Sequence, residues 1–304
     1  MARQPMAGHE PSGTGPRTWR ADPPVRDDGA VRITMDDGVG LEVEATGSGP
    51  GLLLVHGFGG AKEDFADHVE AFAHDHTVVV FDHRGHGGSD GPEDPAMYSF
   101  DRLVADTLAV ADATGLSRFC LLGHSMGGML ARQVVLGSPE RVDALILMDT
   151  APGPVPSFDA ELMDIAADIA RTQGKVELKI TLDAFAPLNN AAYERVLAER
   201  PGYQEFQDRK WDALSEVMWA VLVQEIARQR DDLPEFTAIA CPALVIVGEL
   251  DEPFLQPSHD MANAIPNATL VVVPDAGHSP QFENPDAWFA AVSEFLAARV
   301  AAGS

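Results

Sequence analysis

Two cysteines in 304 residues are too few for a disulfide scaffold. Cys120 and Cys241 each stand beside an apolar, strand-like run, the setting of small buried side chains in a reducing compartment. Basic residues are also scarce, with 21 Lys and Arg against 47 Asp and Glu and a formal net charge of -26. A field of that sign repels phosphate backbones and anionic lipid surfaces, so nucleic acid and membrane are not expected as partners. An acidic, solvated surface needs no partner of its own. No run approaches the ~20 apolar residues of a membrane span, and no apolar segment of signal-peptide type opens the chain. Residues 1–30, rich in Pro, Gly and Arg, read as a disordered leader, and the cytoplasm is the expected location. No cysteine or carboxylate cluster completes His74 with His76, or His83 with His86, in metal-ligand spacing. Neither G-x-x-x-x-G-K-S/T nor G-x-G-x-x-G occurs, and no cofactor is expected.

What is present is a 45% hydrophobic composition in a chain long enough for one large domain with an insertion. Val31 to Ala45 alternates around Asp37-Gly38, which predicts an edge hairpin with Val31, Ile33, Met35, Leu41, Val43 and Ala45 on one side. Continuously apolar runs follow at Leu52–Val55, Thr77–Phe81, Phe119–Leu122, Ala144–Met148, Ala243–Val247 and Thr269–Val273, as in parallel strands covered on both faces. Helical stripes lie between them, the clearest starting at Phe100 behind a Ser99 N-cap, and the last opening with Asn284-Pro285. Alternation of strand and helix gives an α/β class. Residues 151–232 break the alternation with helical patterns alone, an insertion dense in aromatic and Met residues between core segments 31–150 and 233–304. Most of those large side chains are expected to pack helices, and a few to line a pocket.

Gly123-His124-Ser125-Met126-Gly127 joins the strand ending at Leu122 to a helical run from Met129. A side chain held at the tip of so tight a turn needs neighbours two positions away that are nearly atomless, and Gly123 and Gly127 meet that need. Serine is a poor nucleophile near neutral pH and needs a base, itself oriented by an acid. His278 and Asp251 stand just past two later strands, at the strand ends where an open parallel sheet places its site. Glu249, Glu252 and Asp275 compete for the acid position, and Asp149 is a more remote candidate. The oxyanion formed in acyl transfer needs two backbone donors. Met126 N–H supplies one, and the glycine-rich loop His56-Gly57-Phe58-Gly59-Gly60 supplies the other, from Phe58.

His56-Gly57-Phe58-Gly59, Asp82 to Ser89, Gly123 to Gly128, Asp251 and Gly277-His278 together resemble, in order, the landmarks of the α/β-hydrolase superfamily, from about Val31 to Val300. The resemblance implies an eight-stranded, mostly parallel sheet with helices on both faces. It also implies a helical cap inserted after the sixth strand and a Ser125–His278–Asp251 triad beneath it. On that strand order Cys120 and Cys241 are one strand apart, roughly 10 Å at ~4.8 Å per spacing, too far for a disulfide. Arg84 is expected to pack or pair locally, without a catalytic role.

The expected activity is that of a cofactor-independent serine hydrolase cleaving a carboxylic ester or similar acyl bond of an apolar or aromatic small molecule. Serine at the elbow disfavours the epoxide hydrolase and haloalkane dehalogenase branches, which use a carboxylate there. Carbon–carbon hydrolases, enol-lactonases and perhydrolases share Ser-Met-Gly-Gly and are the neighbouring alternatives. A small-molecule sensor on the same scaffold is the alternative of another class.

Overall fold

The computed structural model describes residues 30–155, 158–185 and 190–302; the leader expected over residues 1–30 lies outside them save for Ala30, which opens the first strand. The eight strands are β1 (Ala30–Thr34), β2 (Gly40–Gly47), β3 (Gly51–Val55), β4 (Thr77–Phe81), β5 (Phe119–His124), β6 (Val142–Met148), β7 (Ala243–Gly248) and β8 (Ala268–Val273). They form one sheet in the order β1-β2-β4-β3-β5-β6-β7-β8. β1 and β2 form the expected hairpin, with Ile33 opposite Leu41 and Gly38 supplying the positive φ of the turn. Leu41 and Val43 are buried, whereas Val31, on the edge strand β1, and Ala45 are exposed. β2 pairs antiparallel with β4, and every pairing from β4 through β8 is parallel.

The strand alternation feeds two cores. Leu53, Leu121, Leu145 and Val245 point to one face, and Leu52, Leu122, Ile146 and Ile246 to the other. Both faces are dry, which is why these strands read as unbroken apolar runs. At roughly 1.5–3 kcal/mol for each fully buried Leu, Ile or Val, this alternation is a large part of the drive to fold. Helices α1 (Ala66–Phe72), α2 (Phe100–Ala113) and α3 (Met126–Gly137) lie between the early strands. Ser99 caps α2 as expected, its Oγ accepting Arg102 N–H at 3.2 Å. β8 departs from the expectation. Its run is apolar, yet Val272 is 40% exposed, because β8 is the other sheet edge.

Between β6 and β7 come α4 (Ala160–Phe185, interrupted at Gly174), α5 (Ala191–Glu199), α6 (Tyr203–Ala213) and α7 (Glu216–Arg228), with no strand among the described residues of this stretch. The chain closes with α8 (Glu252–Ala264), α9 (Pro280–Glu283) and α10 (Pro285–Ala302), the last burying Trp288, Val292 and Leu296 against the sheet. Arg84 is buried, with Nε and Nη2 on the Asp106 carboxylate at 2.6 and 2.7 Å and Nη1 on Asp37 at 2.8 Å. β6 lies between β5, which carries Cys120, and β7, which Cys241 precedes. No helix among the described residues is long and apolar enough to cross a membrane.

Candidate active site

Because β3 and β5–β8 run parallel, their C-terminal ends deliver five loops to one edge of the sheet. Ser125 follows β5 with φ 52 and ψ -118, outside the regions open to ordinary residues. Such strain costs on the order of 1–3 kcal/mol and persists only where the surroundings enforce it. Here Ser125 N–H donates to Met148 O at 2.9 Å, while Ser125 O accepts the Thr150 hydroxyl at 2.7 Å and Gly128 N–H at 2.9 Å. A Cβ on Gly123 would strike the Gly127 backbone, and one on Gly127 would strike the carbonyl oxygens of Val55 and His56. Neither obstacle can move, so both glycines are steric requirements of the turn.

The structure brings Ser125, His278 and Asp251 into one hydrogen-bonded row. His278 Nε2 is 2.9 Å from Ser125 Oγ, and His278 Nδ1 is 2.8 Å from Asp251 Oδ2. Asp251 is buried, whereas Ser125 and His278 are half-buried and open to a reactant. Of the competing acids, Glu249 and Glu252 are exposed, and Glu249 Oε2 accepts Asp275 N–H at 3.1 Å. Asp275 is exposed as well. Asp149 follows β6 and comes close: its carboxylate, that of Asp251 and the His278 ring have atoms within 4.8 Å of one another. Among the described residues this trio is also the one group of ligand-type side chains close enough to hold a metal ion.

The loop after β3 lies against Ser125, since a Cβ on Gly57 would sit 3.0 Å from Ser125 Cβ. Phe58 directly follows Gly57, and Met126, the first residue of α3, directly follows Ser125; among the described residues neither N–H has a hydrogen-bond acceptor. Two histidine rings, those of His56 and His86, hold this loop. His56 Nδ1 donates to Gly57 O at 2.8 Å and His56 Nε2 accepts His83 N–H at 3.1 Å. His86 Nε2 accepts Gly59 N–H at 3.2 Å. Burial pushes His56 down to about 4 and His83 and His86 well below the usual histidine range, so all three are neutral, and the His56 and His86 rings can accept these bonds. Trp219 of α7 packs 5.5 Å from the Phe58 ring, and Phe254 of α8 packs 4.8 Å from the His278 ring.

Two residues to which the sequence reading gave no role, Glu283 and His124, hold His278. Glu283 Oε2 accepts Gly277 N–H at 2.6 Å and Ser279 N–H at 3.2 Å, gripping the residues on either side of His278. His124 Nε2 donates to His278 O at 2.7 Å, and burial pushes that ring down to about 3. Arg195 of α5 donates to both Asp275 O and Glu283 O, at 2.7 and 2.8 Å, tying the inserted helices to the histidine loop. No sequence signal marks Glu283, because its role depends on how α9 turns back beneath the loop.

The family model described as alpha/beta hydrolase fold matches residues 50–285. A Bacillus subtilis protein provisionally named 2-succinyl-6-hydroxy-2,4-cyclohexadiene-1-carboxylate synthase is 30% identical over 276 residues, covering 88% of this chain and 98% of its own. The enol-lactonase of Burkholderia xenovorans LB400 superposes with TM-score 0.77 at 27% identity, over 88% of this chain and all of its own. A thermophilic esterase of Thermogutta terrifontis gives TM-score 0.76 at 28% identity, over 89% and 98% of the two chains. The order of the strands, the strained serine at the end of β5 and these matches lead to one assignment: the chain belongs to the α/β-hydrolase superfamily.

Proposed function

We propose that this protein is a serine hydrolase that cleaves a carboxylic ester or closely related acyl bond, lactones included, in an apolar or aromatic small molecule. The observation that carries the reading is the continuous row Ser125 Oγ, His278 Nε2, His278 Nδ1, Asp251 Oδ2, each link at 2.8–2.9 Å. With its proton on Nδ1 and directed to Asp251, His278 presents a bare Nε2 to the serine hydroxyl. His278 takes that proton as Ser125 Oγ attacks the acyl carbon, and Asp251 stabilises the imidazolium. Phe58 and Met126 N–H, which have no other acceptor among the described residues, receive the oxyanion. His278 then returns the proton to the departing alcohol, leaving an acyl-enzyme that water hydrolyses by the same steps in reverse order.

An apolar substrate is supported by the rings of Phe58, Trp219 and Phe254 beside the row, and by the absence of Lys or Arg among its hydrogen-bond partners in the described residues. The esterase and enol-lactonase likenesses support the same chemical class. The test is labelling by a fluorophosphonate probe, then turnover on a panel of p-nitrophenyl esters and lactones. Labelling and turnover are expected in the wild type and neither in Ser125→Ala or His278→Ala. A folded wild type that is neither labelled nor active would point instead to a small-molecule sensor on this scaffold.

A further inference from the structure

Asp149 is the loop residue after β6, as Ser125 is after β5, and it too has a positive φ, of 45°. Aspartate tolerates that region better than most residues, but nothing in the turn alone demands a carboxyl here. Its side chain is wholly buried. Oδ1 accepts Gly248 N–H at 2.9 Å. Oδ2 is equally buried, and no group among the described residues donates to it. A buried carboxylate oxygen without a donor forfeits its hydration with nothing in return.

The surroundings make an ionised Asp149 worse still. Asp251 faces it from the loop before α8, Glu283 from α9 and the His278 ring from the loop after β8, and no Lys or Arg stands among these groups. Two carboxylates in one dry pocket repel, and a shared proton is the ordinary resolution. If that proton sits on Asp149 Oδ2, the orphaned acceptor becomes a donor whose acceptor, Asp251, is within reach. Asp251 then holds the single negative charge, with Oδ2 on His278.

We propose that Asp149 is a positioning residue of this site, a carboxylic acid that stays protonated near neutral pH and donates its hydroxyl to Asp251, steadying the carboxylate that orients His278. This rests on Ser125, His278 and Asp251 acting as a triad. Burial first, and then the charge of Asp251, push the Asp149 carboxyl well above the usual carboxylate range, against the pull of Gly248 N–H. The opposite assignment, with the proton on Asp251, would take the charge from the group that contacts the base.

The test is infrared difference spectroscopy near neutral pH on the full chain, wild type against Asp149→Asn, alongside kinetics. The carbonyl stretch of a protonated carboxylic acid is expected in the wild type and in Ser125→Ala, and missing from Asp149→Asn. The asparagine amide accepts from Gly248 and donates to Asp251 as the acid does, so Asp149→Asn is expected to keep kcat within about threefold. Asp149→Ala removes both bonds and is expected to lower kcat by about tenfold or more with KM little changed. No protonated-acid band in the wild type, or a band that survives in Asp149→Asn, overturns the proposal. So does a loss of about a hundredfold in Asp149→Asn, the result for a residue that works as an anion. The infrared experiment uses no substrate, so its outcome is independent of whether the protein turns over an ester.

Discussion

Glu283 offers the sharpest test of how His278 is held. It is 7% exposed, and burial lifts its carboxyl above the usual range, while the Gly277 and Ser279 N–H groups pull it back. Glu283→Ala strands those two donors, and a hydrogen bond to a charged acceptor contributes about 1.5–3 kcal/mol. Part of that is returned because a buried carboxylate no longer has to be desolvated, so the expected net loss of stability is about 2–4 kcal/mol. The kinetic effect follows from the position of the contacts. Both donors adjoin His278, the base of the proposed reaction, and a displacement of a catalytic group by about 1 Å costs on the order of a hundredfold in rate. Glu283→Ala should therefore lower kcat by about that factor with KM nearly unchanged. Glu283→Gln keeps an oxygen for the two N–H groups, so most of the rate should return. Urea unfolding and steady-state kinetics on an ester from the panel give both numbers. A Glu283→Ala enzyme of normal kcat would refute the reasoning, as would a loss that Glu283→Gln fails to repair.

Lys62 and the buried histidines yield the other expectations. Lys62 Nζ is surrounded by Glu63 at 2.6 Å, Glu42 at 2.9 Å, Glu44 at 3.5 Å and Asp82 at 3.6 Å. Lys62→Met leaves that cluster uncompensated and should cost about 3–5 kcal/mol in urea unfolding. Burial, then Glu63, already push Asp82 up to about 6, so the cost should be smaller at about pH 5, where Asp82 is protonated, than at about pH 8; equal costs would refute this. His56 and His124 titrate near 4 and 3 in the folded chain, below their ordinary value, so the unfolded chain binds more protons as pH falls below about 6.5. Their contribution is complete above about pH 6.5 and is lost on descent toward 4, and His124→Gln should flatten that slope in urea midpoints.

Much of this architecture was legible because both faces of the central strands are dry. The runs at Leu52, Thr77, Phe119, Ala144 and Ala243 gave strands within two residues of those observed. β8 read the same way but lies at an edge, a property of its neighbours and not of its own residues. Ser125 and His278 were legible from a strand, a turn and their glycines. The acid was less so, because Asp149, Glu249, Asp251 and Asp275 all occupy loops at the same sheet edge and only the fold selects which faces the ring. Glu283, and the tautomers of His56 and His86, depend on contacts between distant segments, and no local pattern encodes them. The break in α4 likewise gave no warning beyond one isolated glycine, Gly174.

The division of each central strand between two cores bears on catalysis as well as folding. Leu121 belongs to one core and Leu122 to the other, and Ser125 stands one residue beyond the end of the same strand. A slip of β5 by a single residue would exchange those leucines and carry the serine about 3.3 Å along the strand, farther than its whole separation from His278. The packing that fixes register is thus also the gauge that sets the distance between Ser125 and His278. A mutation deep in either core that loosens the strand is therefore expected to lower activity without changing the identity of any site residue.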